Sequence, residues 1–187
     1  MMILSPKDSI GKNFNLPNKL TIARILLIPF FIIFLVKEYR IVAIVVFALA
    51  GLTDALDGFL ARTLDQKSRL GSFLDPIADK LLINTSFMTL AILKRLPAWF
   101  AMIVITRDLL IVLGGMGIYM VDRRRVFAPT FIGKSTTLTQ MLTILLALLH
   151  LLIPGLSLYL RFFVWLATLL TIISGLHYIY QGIKLGA

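Results

Sequence analysis

Long apolar stretches, separated by short polar punctuation, occupy nearly the whole chain. The first extends from about Leu16 to Val36, opened by Asn15 and Pro17, which suit a helix start, and followed by the polar turn Lys37 to Arg40. A second covers about Ile41 to Ala61, a third runs from near Gly71 to about Leu93 and is closed by Lys94 to Pro97, and a fourth covers about Trp99 to Val121. The fifth starts near Gly133 and ends before Pro154, and the sixth covers about Leu158 to Ile183. These stretches reach the length of about twenty residues that a bilayer-spanning helix needs, without the alternation of a membrane β-barrel strand. The expected fold is an all-α integral membrane protein: six transmembrane helices over residues 16–187, preceded by an N-terminal juxtamembrane segment, residues 1–15. That segment is either a short amphipathic stretch on the membrane surface or a frayed tail. Six spans return both termini to one side, and no soluble domain, long linker, low-complexity tract or internal repeat is left over.

Composition agrees: 59% of the 187 residues are hydrophobic and the mean hydropathy is +0.93, too apolar for an ordinary soluble domain. The net charge of +10 does not point to nucleic acid, because the cations are scattered between apolar spans rather than gathered on one surface. Their placement sets topology instead. With a cytoplasmic N-terminus, Lys7, Lys12, Lys19, Arg62, Lys67, Arg69, Arg123 to Arg125, Lys134 and Lys184 fall inside, against Lys37, Arg40, Lys94, Arg95 and Arg161 outside. Residues 1–15 lack the apolar core of a signal peptide, so no cleavage is expected. The absence of cysteine excludes disulfides and thiolate metal ligands. Trp99, Tyr119, Trp165 and Tyr178 to Tyr180 sit near span ends, where interfacial aromatics belong, and Gly114, Gly115 and Gly117 permit close helix approach.

Four acids break the apolar pattern. Asp54 and Asp57 lie near the end of the second stretch, Asp75 and Asp79 near the start of the third. An ionised Asp at the centre of a membrane helix costs about 2.5–3.5 kcal/mol, so four unpaired acids demand cations. Positions three and four apart share a helix face, and the short turn from Arg62 to Leu70 makes the two helices antiparallel neighbours, so both pairs can converge at the cytoplasmic edge. Oxygen donors without cysteine, and with His150 and His177 far along the chain, fit Mg²⁺ or Mn²⁺ rather than Zn²⁺; two such cations would balance four carboxylates. Gly58 and Gly71 leave room for a ligand near the backbone, Ala61 is small, and Arg62 offers a donor fork suited to phosphate. Metals, space and an arginine at a membrane surface read as pyrophosphate chemistry on a lipid.

The spacing is D-x2-D-G-x2-A-R-x8-G-x3-D-x3-D, filled by Asp54, Asp57, Gly58, Ala61, Arg62, Gly71, Asp75 and Asp79. At every position it resembles the signature of the CDP-alcohol phosphotransferase family. The resemblance implies an enzyme in which an alcohol attacks the β-phosphorus of CDP-diacylglycerol, releasing CMP and forming a phosphodiester lipid. It further implies that Asp54, Asp57, Asp75 and Asp79 hold two divalent cations, with Asp79 also the general base, and that Asp57, Gly58, Ala61, Arg62 and Gly71 form the cytidine diphosphate pocket. A homodimer is also implied, without locating its interface.

Three cations outside the signature lie in apolar surroundings: Arg24, Arg107 and Lys134. Together they can bind a phosphate on the acceptor, with Lys134 followed by Ser135, Thr136 and Thr137 near a helix N-terminus. The alternative is structural: Arg24 snorkels or pairs with an acid, and Arg107 pairs with its neighbour Asp108. The run Asn15 to Arg24, then Ile28-Pro29-Phe30, resembles the opening of phosphatidylglycerol-phosphate synthases, whose acceptor is glycerol 3-phosphate. Asp75-Pro76-Ile77-Ala78-Asp79-Lys80 is similar to them too. Thr106-Arg107-Asp108 departs from them, with Asp in place of Glu, and Pro129 to Lys134 resembles cardiolipin synthases, for which phosphatidylglycerol is the acceptor. Glycerol 3-phosphate is the favoured acceptor. A divalent-cation transporter is the reading from another class, but its acids would be expected near the midplane rather than at one hairpin close to the surface. The multi-pass arrangement, with the site facing the cytoplasm, suits a bacterial inner membrane.

Overall fold

A computed structural model of the protein describes residues 16–63, 69–121 and 131–186. Among them are six α-helices: α1 (Leu16–Val36), α2 (Arg40–Thr63), α3 (Arg69–Ile92), α4 (Ala98–Val121), α5 (Phe131–His150) and α6 (Ser157–Gly186). A single 3₁₀ turn, Pro154–Leu156, precedes α6, and no strand occurs among the described residues. The juxtamembrane segment 1–15 and the basic group Arg123 to Arg125 lie outside the described residues. The six apolar stretches become six helices, with ends displaced by no more than a few residues. Two of them, Phe131–His150 and the stretch Pro154–Gln181, are long and apolar enough to cross a membrane.

The chain divides into two compact units, Met1–Thr85 and Ser86–Ala187, with the boundary inside α3. In the first, α1 packs on α2. Thr21, Arg24, Ile28, Phe31 and Leu35 form one buried stripe on α1; Ala43, Val46, Phe47 and Ala50 form its counterpart on α2. The Phe31 and Phe47 rings meet at 5.7 Å, and the alanines let the helices approach. The opposite face of α1 is apolar and exposed, with Leu26, Phe30 and Ile33 standing outward while Arg24 is fully buried. A soluble helix would reverse this polarity; hydrocarbon around the protein explains it.

The link from α1 to α2 is a Schellman turn. The Tyr39 N–H donates to the Phe34 carbonyl at 2.9 Å and the Glu38 N–H to that of Leu35 at 3.2 Å, with Glu38 at φ 60°. The Phe34 and Tyr39 rings supply the apolar contact that accompanies this motif, 6.3 Å apart. The α3 end repeats the design, Lys94 at φ 56° and the Arg95 N–H donating to the Leu90 carbonyl at 2.8 Å.

In the second unit α6 packs on both α4 and α5. Its buried stripe is Leu160, Val164, Ala167, Thr168, Thr171 and Ser174, facing outward with Phe162, Trp165, Leu169 and Leu176. On α5 the buried stripe is polar over two turns: Thr136, Thr139, Gln140 and Thr143, before Ile144, Ala147 and Leu148 take over. The hydroxyls tolerate burial because each donates to the carbonyl four residues earlier: Thr136 to Ile132, Thr139 to Ser135, Thr143 to Thr139, Thr168 to Val164 and Thr171 to Ala167, at 2.6–2.8 Å. Across the seam Gln140 Nε2 donates to Thr171 Oγ1 at 3.1 Å, and Thr136 reaches the Leu170 carbonyl at 3.3 Å. Trp99 and Trp165 meet at 5.4 Å with their rings tilted by 39°, and both residues are exposed, as expected of interfacial aromatics.

Candidate active site

The signature residues sit on two helices joined by a short connection. Helix α2 is continuous through Asp54, Asp57, Gly58, Ala61 and Arg62, ending at Thr63; α3 starts at Arg69 and continues through Gly71, Asp75 and Asp79. Helical geometry therefore sets Asp54 and Asp57 about 60° apart around the α2 axis, and Asp75 and Asp79 about 40° apart around that of α3. The side chains of Asp54, Asp57, Gly58, Ala61, Arg62, Gly71 and Asp75 lie outside the described ones. Asp79 is half-buried, beside the fully buried Ala78. Among the described side chains no group of three acids or histidines forms a cluster, but three of the four signature acids are not among them.

The three extra cations have different settings. Arg24, in the first unit, is fully buried in the α1 stripe and engaged by other groups of the chain. Lys134, in the first turn of α5, is exposed. Arg107 is 5% exposed and makes the ion pair that its neighbour suggested: Nη1 lies 2.8 Å from Asp108 Oδ1. Sequence reasoning missed its partners on α6. Nη2 donates to Ser174 Oγ at 2.6 Å, and the guanidinium carbon stands 5.7 Å from the centroid of the Tyr178 ring, within cation–π range. The available signal was the four-residue spacing of Ser174 and Tyr178, which sets both on one face of α6. The stem of Arg107 passes over Gly175, where a Cβ would stand 3.6 Å from Cγ.

The family model for CDP-alcohol phosphatidyltransferase matches residues 14–173, which include every signature position. The chain belongs to this family. The chain is similar over most of its length to the CDP-diacylglycerol--glycerol-3-phosphate 3-phosphatidyltransferase of Bacillus subtilis (strain 168), 32% identical over 186 residues, covering 88% of this chain and 93% of that one. The enzyme of the same name from Aquifex aeolicus (strain VF5) is 34% identical over 133 residues, 70% of this chain and 74% of its own. The cardiolipin synthase (CMP-forming) of Rattus norvegicus is 38% identical over 131 residues, 70% of this chain but 42% of the rat protein. The chain is thus a membrane-associated transferase acting in phospholipid biosynthesis, and its resemblance to the family extends from before the first helix well into the last.

Proposed function

We propose that this protein transfers the phosphatidyl group of CDP-diacylglycerol to glycerol 3-phosphate, releasing CMP and forming phosphatidylglycerol phosphate. The observation that carries this reading is the nearly end-to-end similarity to the Bacillus subtilis enzyme named for that reaction, over a chain that keeps all eight signature residues. Cardiolipin synthesis from CDP-diacylglycerol and phosphatidylglycerol is the competing reading, supported by the rat relative over a smaller share of that protein.

In the reaction the acceptor hydroxyl oxygen attacks the phosphorus that carries diacylglycerol, the bond from that phosphorus to the CMP oxygen breaks, and CMP leaves. Asp79 takes the hydroxyl proton as general base. Gly58, Ala61 and Gly71 give the nucleotide close access to the helix backbones, Arg62 offers its donor fork to a diphosphate oxygen, and Asp57 borders the same pocket. The donor set fits a hard divalent cation, being all carboxylate and carried at helical spacing on α2 and α3. Asp54, Asp57, Asp75 and Asp79 would hold two such cations, Mg²⁺ or Mn²⁺, which when bound neutralise charge developing on the diphosphate. Arg107, Lys134 and Arg24 bind the phosphate of the acceptor. The protein acts as a six-span homodimer with its site at the cytoplasmic face of a bacterial inner membrane.

The test is CMP release by purified protein with Mg²⁺ and CDP-diacylglycerol, comparing glycerol 3-phosphate with phosphatidylglycerol. Turnover with glycerol 3-phosphate alone is expected. Turnover with phosphatidylglycerol alone would make the protein a cardiolipin synthase, and uptake of divalent cation into vesicles without CMP release would replace the enzyme by a transporter.

A further inference from the structure

The Arg107 guanidinium is held by three groups. Asp108 on its own helix takes Nη1, Ser174 on α6 takes Nη2, and Tyr178 one turn further lies within cation–π range. All four groups belong to the second unit. Nε is buried and has no hydrogen-bond partner. A buried guanidinium with a vacant donor is costly unless something accepts from it, and the edge formed by Nε and Nη2 is the one that receives an oxyanion in a bidentate fashion. Nη2 carries two protons, of which Ser174 Oγ takes one. Ser174 and Tyr178 both lie beyond residue 173, where the family match ends.

We propose that Ser174 and Tyr178 are positioning residues, fixing Arg107 so that its Nε edge stays presented to the phosphate of the acceptor. The inference rests on the assignment of Arg107 to acceptor binding made above. It makes the last helix, through two residues that touch no substrate, a determinant of acceptor affinity. Ser174 is fully buried, so its hydroxyl has no competing claim from solvent. Losing one hydrogen bond from a charged group, partly offset by the remaining Asp108 and Tyr178 contacts, should weaken acceptor binding about 5- to 20-fold.

The experiment is steady-state CMP release with each substrate varied in turn, on the full-length protein and on Ser174→Ala, Ser174→Thr, Tyr178→Phe, Tyr178→Leu and Arg107→Lys. Ser174→Ala and Tyr178→Leu should raise the KM for glycerol 3-phosphate by that factor, with the KM for CDP-diacylglycerol unchanged and kcat within about twofold. Ser174→Thr and Tyr178→Phe keep the hydroxyl and the ring, and should stay near wild type. Equal rises in both KM values, or an unchanged acceptor KM in both Ser174→Ala and Tyr178→Leu, overturn the proposal. If those two are unchanged while Arg107→Lys raises the acceptor KM, positioning fails and the role of Arg107 stands. If Arg107→Lys leaves the acceptor KM unaltered, the role of Arg107 falls and positioning falls with it. A variant lost to misfolding, detected by size-exclusion chromatography, is replaced by the other route, since serine and tyrosine act on the arginine independently.

Discussion

The acids at residues 54–79 and the hydroxyls at residues 136–174 are both polar insertions into apolar helices, but the physics treats them oppositely. A threonine carries its own remedy: its O–H donates to the carbonyl four residues back, so α5 and α6 bury five threonines with hydrogen bonds made inside their own helices. An ionised carboxylate only accepts, and a helix offers it no spare N–H beyond the first turn. Its remedy must come from another group or from a cation. Polar residues in a membrane helix are therefore structural when they bring a donor to the backbone, and point to chemistry when they require a partner from outside.

The largest break in this comparison is expected at Asp79. If Asp79 is the general base as proposed, Asp79→Asn removes it while adding an amide donor, so CMP release should fall at least about 10²- to 10⁴-fold with the thermal midpoint in detergent nearly unchanged. Activity near wild type would remove Asp79 from the reaction. Asp108→Asn tests the acid paired with Arg107. It strips the buried Arg107 of its counter-charge and is expected to destabilise the protein by about 3–5 kcal/mol, read as a fall in that midpoint. A loss below about 1 kcal/mol would mean that other groups already balance the arginine. Gln140→Leu should do least. It forfeits the Nε2 bond to Thr171 but also removes Oε1, which is buried without a hydrogen-bond partner, so stability should change by no more than about 1 kcal/mol with kcat unaltered. A larger loss would show that the amide holds the seam together.

How much of this was legible depends on whether the signal is periodic or local. Apolar runs of bilayer length are periodic, and the expected spans lie within a few residues of the helices; Leu16 to Val36 coincides with α1. The fifth span ends before Pro154, as expected, and does so at His150. Residues 151–153 form turns after α5 ends at His150, and the proline opens a 3₁₀ turn that leads into α6. The Asp–Gly–Ala–Arg spacing was legible because few structural pressures produce it. The polar turns Lys37 to Arg40 and Lys94 to Pro97 were legible, but not the left-handed residues Glu38 and Lys94 within them, since glycine is the usual mark of that conformation and neither position has one. Nor did the sequence disclose that Arg107 reaches Ser174, sixty-seven residues away. That pairing depends on how α4 settles on α6, and no local pattern encodes it.

The tight link after α1 has a consequence for how the protein is made. From Val36 to Arg40 the chain advances four residues, at most about 14 Å fully extended, whereas inserting another helix between two neighbours needs roughly twice an interaxial distance of 8–10 Å. No third helix can come between α1 and α2 at that end. In a chain made from its N-terminus, α1 and α2 are thus bound to be neighbours before any later helix exists, with Lys37 and Arg40 at the tip of their hairpin. Their pairing is set by three linking residues rather than by any later packing.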